Sequence, residues 1–269
     1  MQAAGIDTAR LDAEVLLAHA MGRERLDVLN DVEQPVPADS AGIFDAFLQR
    51  RANAEPVAYI TGSTEFWSRT FQVSPDVLIP RPETEVLVEA ALVRIPTDSA
   101  LQVADLGTGS GCIALSMLCE RSNVGAIGID ISQAALDVAV RNAGALGVER
   151  RFKAMHMSML DWLKNAEPVD MIVSNPPYIS AHDYADLADT VRRYEPRTAL
   201  YGGNDGLEFY RALARSAARC LRPGGWLLAE MGYNQGSAIE QLFAACFSEC
   251  VLIPDLAGHD RVICARGAR

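Results

Sequence analysis

From residue 83 to the C-terminus, short apolar runs alternate with helical stretches, and this alternation constrains the fold more than any other feature of the chain. The runs are LQVADL (101–106), VGAIGI (124–129), FKAMHM (152–157), VDMIVS (169–174) and GWLLAEM (225–231), with later ones near Val251 and Val262. Helical stretches such as SQAALDVAVRNAGALG (132–147) fall between them. A strand that is apolar on both faces must be covered on both, and crossover helices do this when the strands run parallel. The expected architecture is α/β, a doubly wound and mostly parallel sheet of seven strands. Before residue 83 the texture differs. From Thr8 to Arg51 the apolar spacing is helical: Leu11, Val15, Leu16 and His19, then Leu26 and Leu29, then Ile43, Phe44, Phe47 and Leu48. Breaks such as QPVPADS (34–40) separate these pieces. EFWSRTFQVSPDVLIP (65–80) predicts two short strands turning around SRT, with Phe66 and Trp67 on one and Phe71 and Val73 on the other. The expected division is a helical N-terminal domain (1–62), a β-hairpin linker (63–82) and a sheet domain (83–269).

Open parallel sheets bind ligands at the C-terminal ends of their strands. LQVADL runs into GTGSGCIALSML, which places Gly107, Gly109 and Gly111 between a strand and a helix, with Thr108 and Ser110 among them. Glycines there let the backbone approach a ligand, and the helix N-terminus supplies free N–H groups. The spacing G-x-G-x-G after Asp105 differs from the dinucleotide fingerprint G-x-G-x-x-G, and no Gly-Lys-Ser/Thr of a phosphate loop is present after it. Asp130 ends the second strand, where a carboxylate accepts both hydroxyls of a ribose. A solvent-facing aspartate explains either residue alone. Both at successive strand ends point to a nucleoside without phosphates, and so to S-adenosylmethionine.

The fourth strand ends in SNPPYIS (174–180). Two prolines stop a strand and stiffen the next few residues, because they lack an N–H and fix φ. A plain strand stop explains the prolines but not the flanking Asn175 and Tyr178. Next to a methyl donor, the Asn175 side-chain oxygen and the Pro176 carbonyl would accept the two N–H groups of a planar amide or aromatic amine. Pro177 adds stiffness, and Tyr178 offers a flat face. Asn175, Pro176 and Tyr178 are the candidate catalytic residues.

Composition narrows the partners. The net charge is −11, from 24 Lys and Arg against 35 Asp and Glu, which opposes binding to a nucleic-acid backbone. No apolar run approaches the ~20 residues that span a bilayer. The start of the chain, with Asp7, Arg10, Asp12 and Glu14, is an amphipathic helix pattern and not a signal peptide. The six cysteines form no CxxC pair and are expected to be reduced core residues of a cytoplasmic protein. The four histidines are scattered, so no metal site is expected.

LIPRPETE (78–85), DLGTGSG (105–111), SNPPYI (174–179), EPRTALYGGNDGLEFYR (195–211) and DLAGHDR (255–261) together resemble, in order, the signatures of the HemK/PrmC family of peptide chain release factor glutamine methyltransferases. NPPY alone is shared with methylases of DNA amino groups, and an amino-methyltransferase of DNA or RNA bases is the alternative. The combination with LIPRPETE and the helical start is more specific. The resemblance implies transfer of methyl from S-adenosylmethionine to the side-chain amide nitrogen of the GGQ glutamine in class 1 release factors, leaving S-adenosylhomocysteine. It implies that Asn175 and Pro176 hold that amide, and that Pro177 and Tyr178 shape its slot. The cofactor would lie on Asp105, Gly107, Thr108, Gly109, Ser110, Gly111, Asp130 and Asn175, and the helical domain would dock the protein substrate. The family usually carries an Asp-Trp or similar pair after the third strand, near the adenine. Here Asp161-Trp162 lies slightly nearer Asn175, and Met159-Leu160 stands at the usual spacing. Trp162 is the candidate adenine wall, with a core tryptophan as the alternative. The helical start is shorter than is usual in the family. Arg81, Glu83, Glu85, Glu195, Arg197, Asp205 and Glu230 fall in or near the signatures without an expected catalytic role.

Overall fold

The structure, a computed structural model, describes residues 6–31 and 34–268. The chain divides into two compact units, residues 1–63 with 188–194, and residues 64–187 with 195–269.

The smaller unit is helical: α1 (Ala9–Met21), α2 (Arg25–Asn30), α3 (Ala38–Ala52) and α4 (Val57–Thr61). α1, α2 and α3 stand where the spacing places them, α4 lies beyond the stretch read as helical, and the buried face is rotated. Leu16 is fully buried beside Ala9, Asp12 and Ala18, while Leu11, Leu26 and Ile43 are exposed. The charge of Asp12 is tolerated there because Arg51 of α3 reaches its carboxylate at 2.7 Å. That ion pair takes a core position that a purely apolar count assigns to leucine.

Among the described residues the larger unit carries nine strands in two sheets, counting β1 from Ser63. The hairpin pairs β1 (Ser63–Phe66) with β2 (Arg69–Gln72). Trp67 is not in a strand, as expected from sequence, but in the turn with Ser68, at φ 52° and 56°. Two left-handed turn residues match the strand twist of a tight hairpin, at a steric cost for a bulky side chain. Carboxylates hold the turn: Glu85 accepts the Trp67 backbone N–H at 2.7 Å, and Glu120 accepts its indole N–H at 3.1 Å. Phe66 and Phe71 meet edge to face in the core.

The main sheet comprises β3 (Gln102–Leu106), β4 (Gly125–Asp130), β5 (Phe152–His156), β6 (Val169–Ser174), β7 (Leu221–Glu230), β8 (Phe247–Pro254) and β9 (Asp260–Ala268). Its order is β5-β4-β3-β6-β7-β9-β8; the first five strands in this order run parallel, and β9 pairs antiparallel with β7 and β8. The seven-stranded, mostly parallel sheet is thus as expected. One face is covered by α5 (Glu85–Arg94), α6 (Cys112–Glu120) and the hairpin, the other by α8 (Met159–Asn165) and the helices Glu208–Ser216 and Gly236–Ala244. α7 (Gln133–Ala145) starts at Ser132, whose hydroxyl accepts the Ala135 N–H. Among the described residues no helix is long and apolar enough to cross a membrane, and no cluster of His, Cys, Asp or Glu is placed to hold a metal.

Candidate active site

Strand register brings the signature motifs together. Leu106 of β3 is level with Ile129 of β4 and Ser174 of β6, and Ser174 is level with Ala229 of β7. The next residues, Gly107, Asp130, Asn175 and Glu230, therefore share one level at the C-terminal edge. Strand order reverses between β3 and β6, so this edge is the topological switch point where open α/β sheets bind ligands.

A cavity of 460 Å³ opens there, within the range of cofactor sites. Gly107, Thr108, Gly109 and Ser110 form one wall, with Asp130 and Ile131 beside them. Asn175 and Pro177 form another, and Arg81 and Thr84 a third. A Cβ built on Gly107 or Gly109 would meet nothing within 4 Å, so the space beside the loop backbone is open. Asp130 braces the loop, its two oxygens accepting the Gly109 and Ser132 N–H groups at 2.9 Å each. Each oxygen retains a lone pair for a hydroxyl. Asn142 of α7 ties the loop to the hairpin: its amide donates to the Ser110 and Gln72 carbonyls and accepts the Gln72 N–H. This cradle fits a nucleoside.

Five of the expected residues lie elsewhere. Asp105 is fully buried behind the loop, where one oxygen accepts the Thr108 hydroxyl at 2.8 Å and the Ala114 N–H at 3.3 Å. Burial pushes its carboxyl up to about 7, against those hydrogen bonds. It shapes the loop and does not line the cavity. Gly111 does not line it either. It caps α6 at φ 82°, and a Cβ there would come within 2.8 Å of Leu115 and 3.3 Å of Ala139. Trp162 points into the core and is 4% exposed; the wall at this place is Ser158, Met159 and Leu160. A helix turns by about 100° per residue, so Leu160 stands about 200° around α8 from Trp162 and faces the cavity, while Met159, nearly in line with Trp162, reaches the cavity only from the first residue of the helix. Pro176 is buried, and Tyr178, partly buried, packs against the core. Burial raises the Tyr178 phenol to about 12.

The NPPY loop is held from outside by the segment after Leu200. The Ile179 N–H donates to the Leu200 carbonyl and the Gly202 N–H to the Ile179 carbonyl, both at 2.9 Å. Gln235 donates to the Tyr178 carbonyl. LIPRP is braced by Glu195, 5% exposed, which pairs with Arg81 and accepts the Ile79 N–H at 3.2 Å. Arg197 lines the cavity and lies over the ring of Tyr201 at 4.9 Å. Asp205 pairs with Arg211 at the surface. Met159 and Leu160 stand where the family's usual spacing puts the pair near the adenine, while the part of Asn142 in this site had no signal in the sequence.

The PrmC N-terminal domain model matches residues 1–62, and the methyltransferase small domain model matches residues 83–192. The chain is 47% identical over 268 residues to the release factor glutamine methyltransferase of Cereibacter sphaeroides, covering 99% of this chain and 94% of that one. It is 42% identical over 263 residues to that of Caulobacter vibrioides, covering 97% and 90%. A crystal structure of a methyltransferase from Pyrococcus furiosus, 14% identical, shares the fold at a TM-score of 0.50 over 72% of this chain and 87% of that one. By identity along nearly its whole length, the chain belongs to the release factor glutamine methyltransferase family.

Proposed function

We propose that this chain carries out its family's reaction in the cavity at the sheet edge, with Asn175 holding the substrate amide. The reaction is methylation of a glutamine side chain of a release factor. The methyl donor is S-adenosylmethionine and the acceptor is the GGQ glutamine of class 1 release factors. The observation that carries the site assignment is that Asn175 and Pro177 share one cavity with the glycine loop and Asp130.

When bound, S-adenosylmethionine supplies an electrophilic methyl group. Gly107 to Ser110 and Asp130 would hold its ribose and the adjoining chain, and Ile131, Met159 and Leu160 offer an apolar wall to a planar base. The remaining work falls to the NPPY loop. An amide nitrogen is a poor nucleophile because its lone pair is delocalised. The Asn175 oxygen would accept one of its two N–H groups and the main-chain carbonyl of Pro176, whose ring is buried outside the cavity lining, the other, which orients it and favours positive charge developing on nitrogen. The two prolines keep both acceptors in place and contribute no competing donor. Tyr178, neutral because burial holds its phenol near 12, backs the slot as a flat wall and is not a base. The helical unit, which exposes Leu11, Leu26 and Ile43, docks the protein substrate.

The test is transfer of labelled methyl from S-adenosylmethionine to purified release factor, to the same factor with its GGQ glutamine replaced, and to duplex DNA. Label on the unaltered factor alone is expected. Comparable labelling of DNA would overturn the assignment.

A further inference from the structure

Asn175 serves as an acceptor only if its oxygen, and not its NH₂ group, faces the cavity. The two ends of a side-chain amide have nearly the same shape, so the surroundings decide which way it points. Two groups behind Asn175 make that decision. Its Nδ2 lies 3.2 Å from Thr84 Oγ1, as donor to acceptor. Glu230, one residue beyond the partner of Ser174 on β7, stands level with Asn175 on the neighbouring strand, with Thr84 and Asn175 both favouring the charged form of its carboxyl. Glu230 is 1% exposed, and its Oε2 has no hydrogen-bond partner among the described residues. An ionised carboxylate accepts and cannot donate. With Thr84 Oγ1 taking one proton from Asn175, the hydroxyl proton of Thr84 is left to turn toward Glu230. Every group behind Asn175 then calls for a donor, and the amide must put its NH₂ there.

We propose that Glu230, with Thr84, is a positioning residue that sets the orientation of the Asn175 amide, NH₂ toward the protein and oxygen toward the substrate. This rests on the proposed methyl transfer to a glutamine amide and deepens it. It also gives a reason for a carboxylate buried at the end of a central strand, where burial disfavours the charge unless it meets donors. The charge behind the amide polarises it and makes its oxygen a better acceptor.

The carboxyl is pushed up to about 7, first by burial and also by Glu83, against the pull of Thr84, Arg261 and Asn175. Tyr178, Tyr210 and Cys112 also face it electrostatically, and burial raises all three, so they stay neutral. Protonated Glu230 carries an O–H that can donate to the Asn175 oxygen, which loosens the orientation. Glutamine at this position does the same at every pH while keeping the size of the side chain.

The test compares the intact enzyme with Glu230→Gln, Thr84→Val and Thr84→Ser. Glu230→Gln and Thr84→Val are expected to lower kcat by roughly 10- to 100-fold, part of the value of one oriented acceptor. KM for release factor and affinity for S-adenosylhomocysteine should stay within about threefold, and Thr84→Ser should restore kcat because it restores the hydroxyl. The Asn175 side-chain NH₂ signals in ¹⁵N–¹H spectra should shift with pH near neutrality in the parent and not in Glu230→Gln. Unchanged kcat in Glu230→Gln, a parallel loss of cofactor affinity, or NH₂ signals indifferent to the substitution would overturn the proposal. If the parent protein does not methylate release factor, the reaction assignment fails and the spectra alone decide the role of Glu230.

Discussion

At the scale of single residues, the site depends on which atoms are left free to act. Asp130 and Asp105 are both strand-end aspartates, yet only Asp130 reaches the cavity wall. Asp105 is consumed in holding Thr108 and the start of α6. Asn175 has its amide nitrogen bonded to Thr84, and in the proposed reaction its oxygen meets the substrate amide. Asn175→Ala should therefore preserve the thermal unfolding temperature and S-adenosylhomocysteine binding while lowering methyl transfer by about 10²–10³-fold, the usual cost of one preorganised partner of a transition state. Unfolding scans, calorimetry and label transfer on one preparation check this. A variant that loses stability but keeps its rate per folded molecule would make Asn175 a strand cap.

At the scale of elements, the NPPY loop is a rigid insert gripped by a second loop. The grip explains the glycines of YGGNDG. A Cβ on Gly202 would sit 2.5 Å from the Pro177 carbonyl oxygen and 2.8 Å from Tyr178 Cα, and both obstacles are backbone. Gly202→Ala must push the loop outward. Because the glycine loop and Asp130 stand on other strands, cofactor affinity should change little while kcat falls at least tenfold. Calorimetry with S-adenosylhomocysteine beside steady-state kinetics distinguishes this from a general loss of folding, in which both would fall together.

Across the whole larger unit, two carboxyls, Asp105 and Glu230, are fully buried and raised to about 7. Between the unfolded carboxylate range near pH 4 and about pH 7, the folded protein holds more protons at these groups than the unfolded chain does. Their contribution to stability is thus greatest at low pH, declines as pH rises through that window and is level above it. Asp105→Asn removes one such group. Relative to the parent it should gain stability on going from about pH 5 to about pH 8, by a few kcal/mol at most. Urea unfolding at the two pH values measures this. Equal slopes for the two proteins would show that Asp105 ionises normally in the fold.

The order of elements, the parallel sheet and the placing of GTGSG, Asp130 and SNPPY at strand ends were legible in the sequence, because burial on both faces writes continuous apolar runs and a ligand edge demands glycine, proline and acid at their ends. Local periodicity carries that information. The partnerships were not legible. Asn175 meets Thr84 across 91 residues and Glu195 meets Arg81 across 114, and no local pattern encodes such pairings. The same limit applied to facing. Trp162 and Leu160 stand on one short helix, and only packing against the sheet turned the tryptophan inward and the leucine to the cavity. In the helical unit, the Asp12–Arg51 ion pair shifted the buried face away from Leu11. Trp67 likewise reads as a strand residue by β-propensity, and only Glu85 and Glu120, brought alongside by the fold, hold it in a left-handed turn. Periodicity determines which elements form and in what order; which side chain of an element meets the ligand is decided by contacts between residues far apart in the chain, and these exist only once the sheet has assembled.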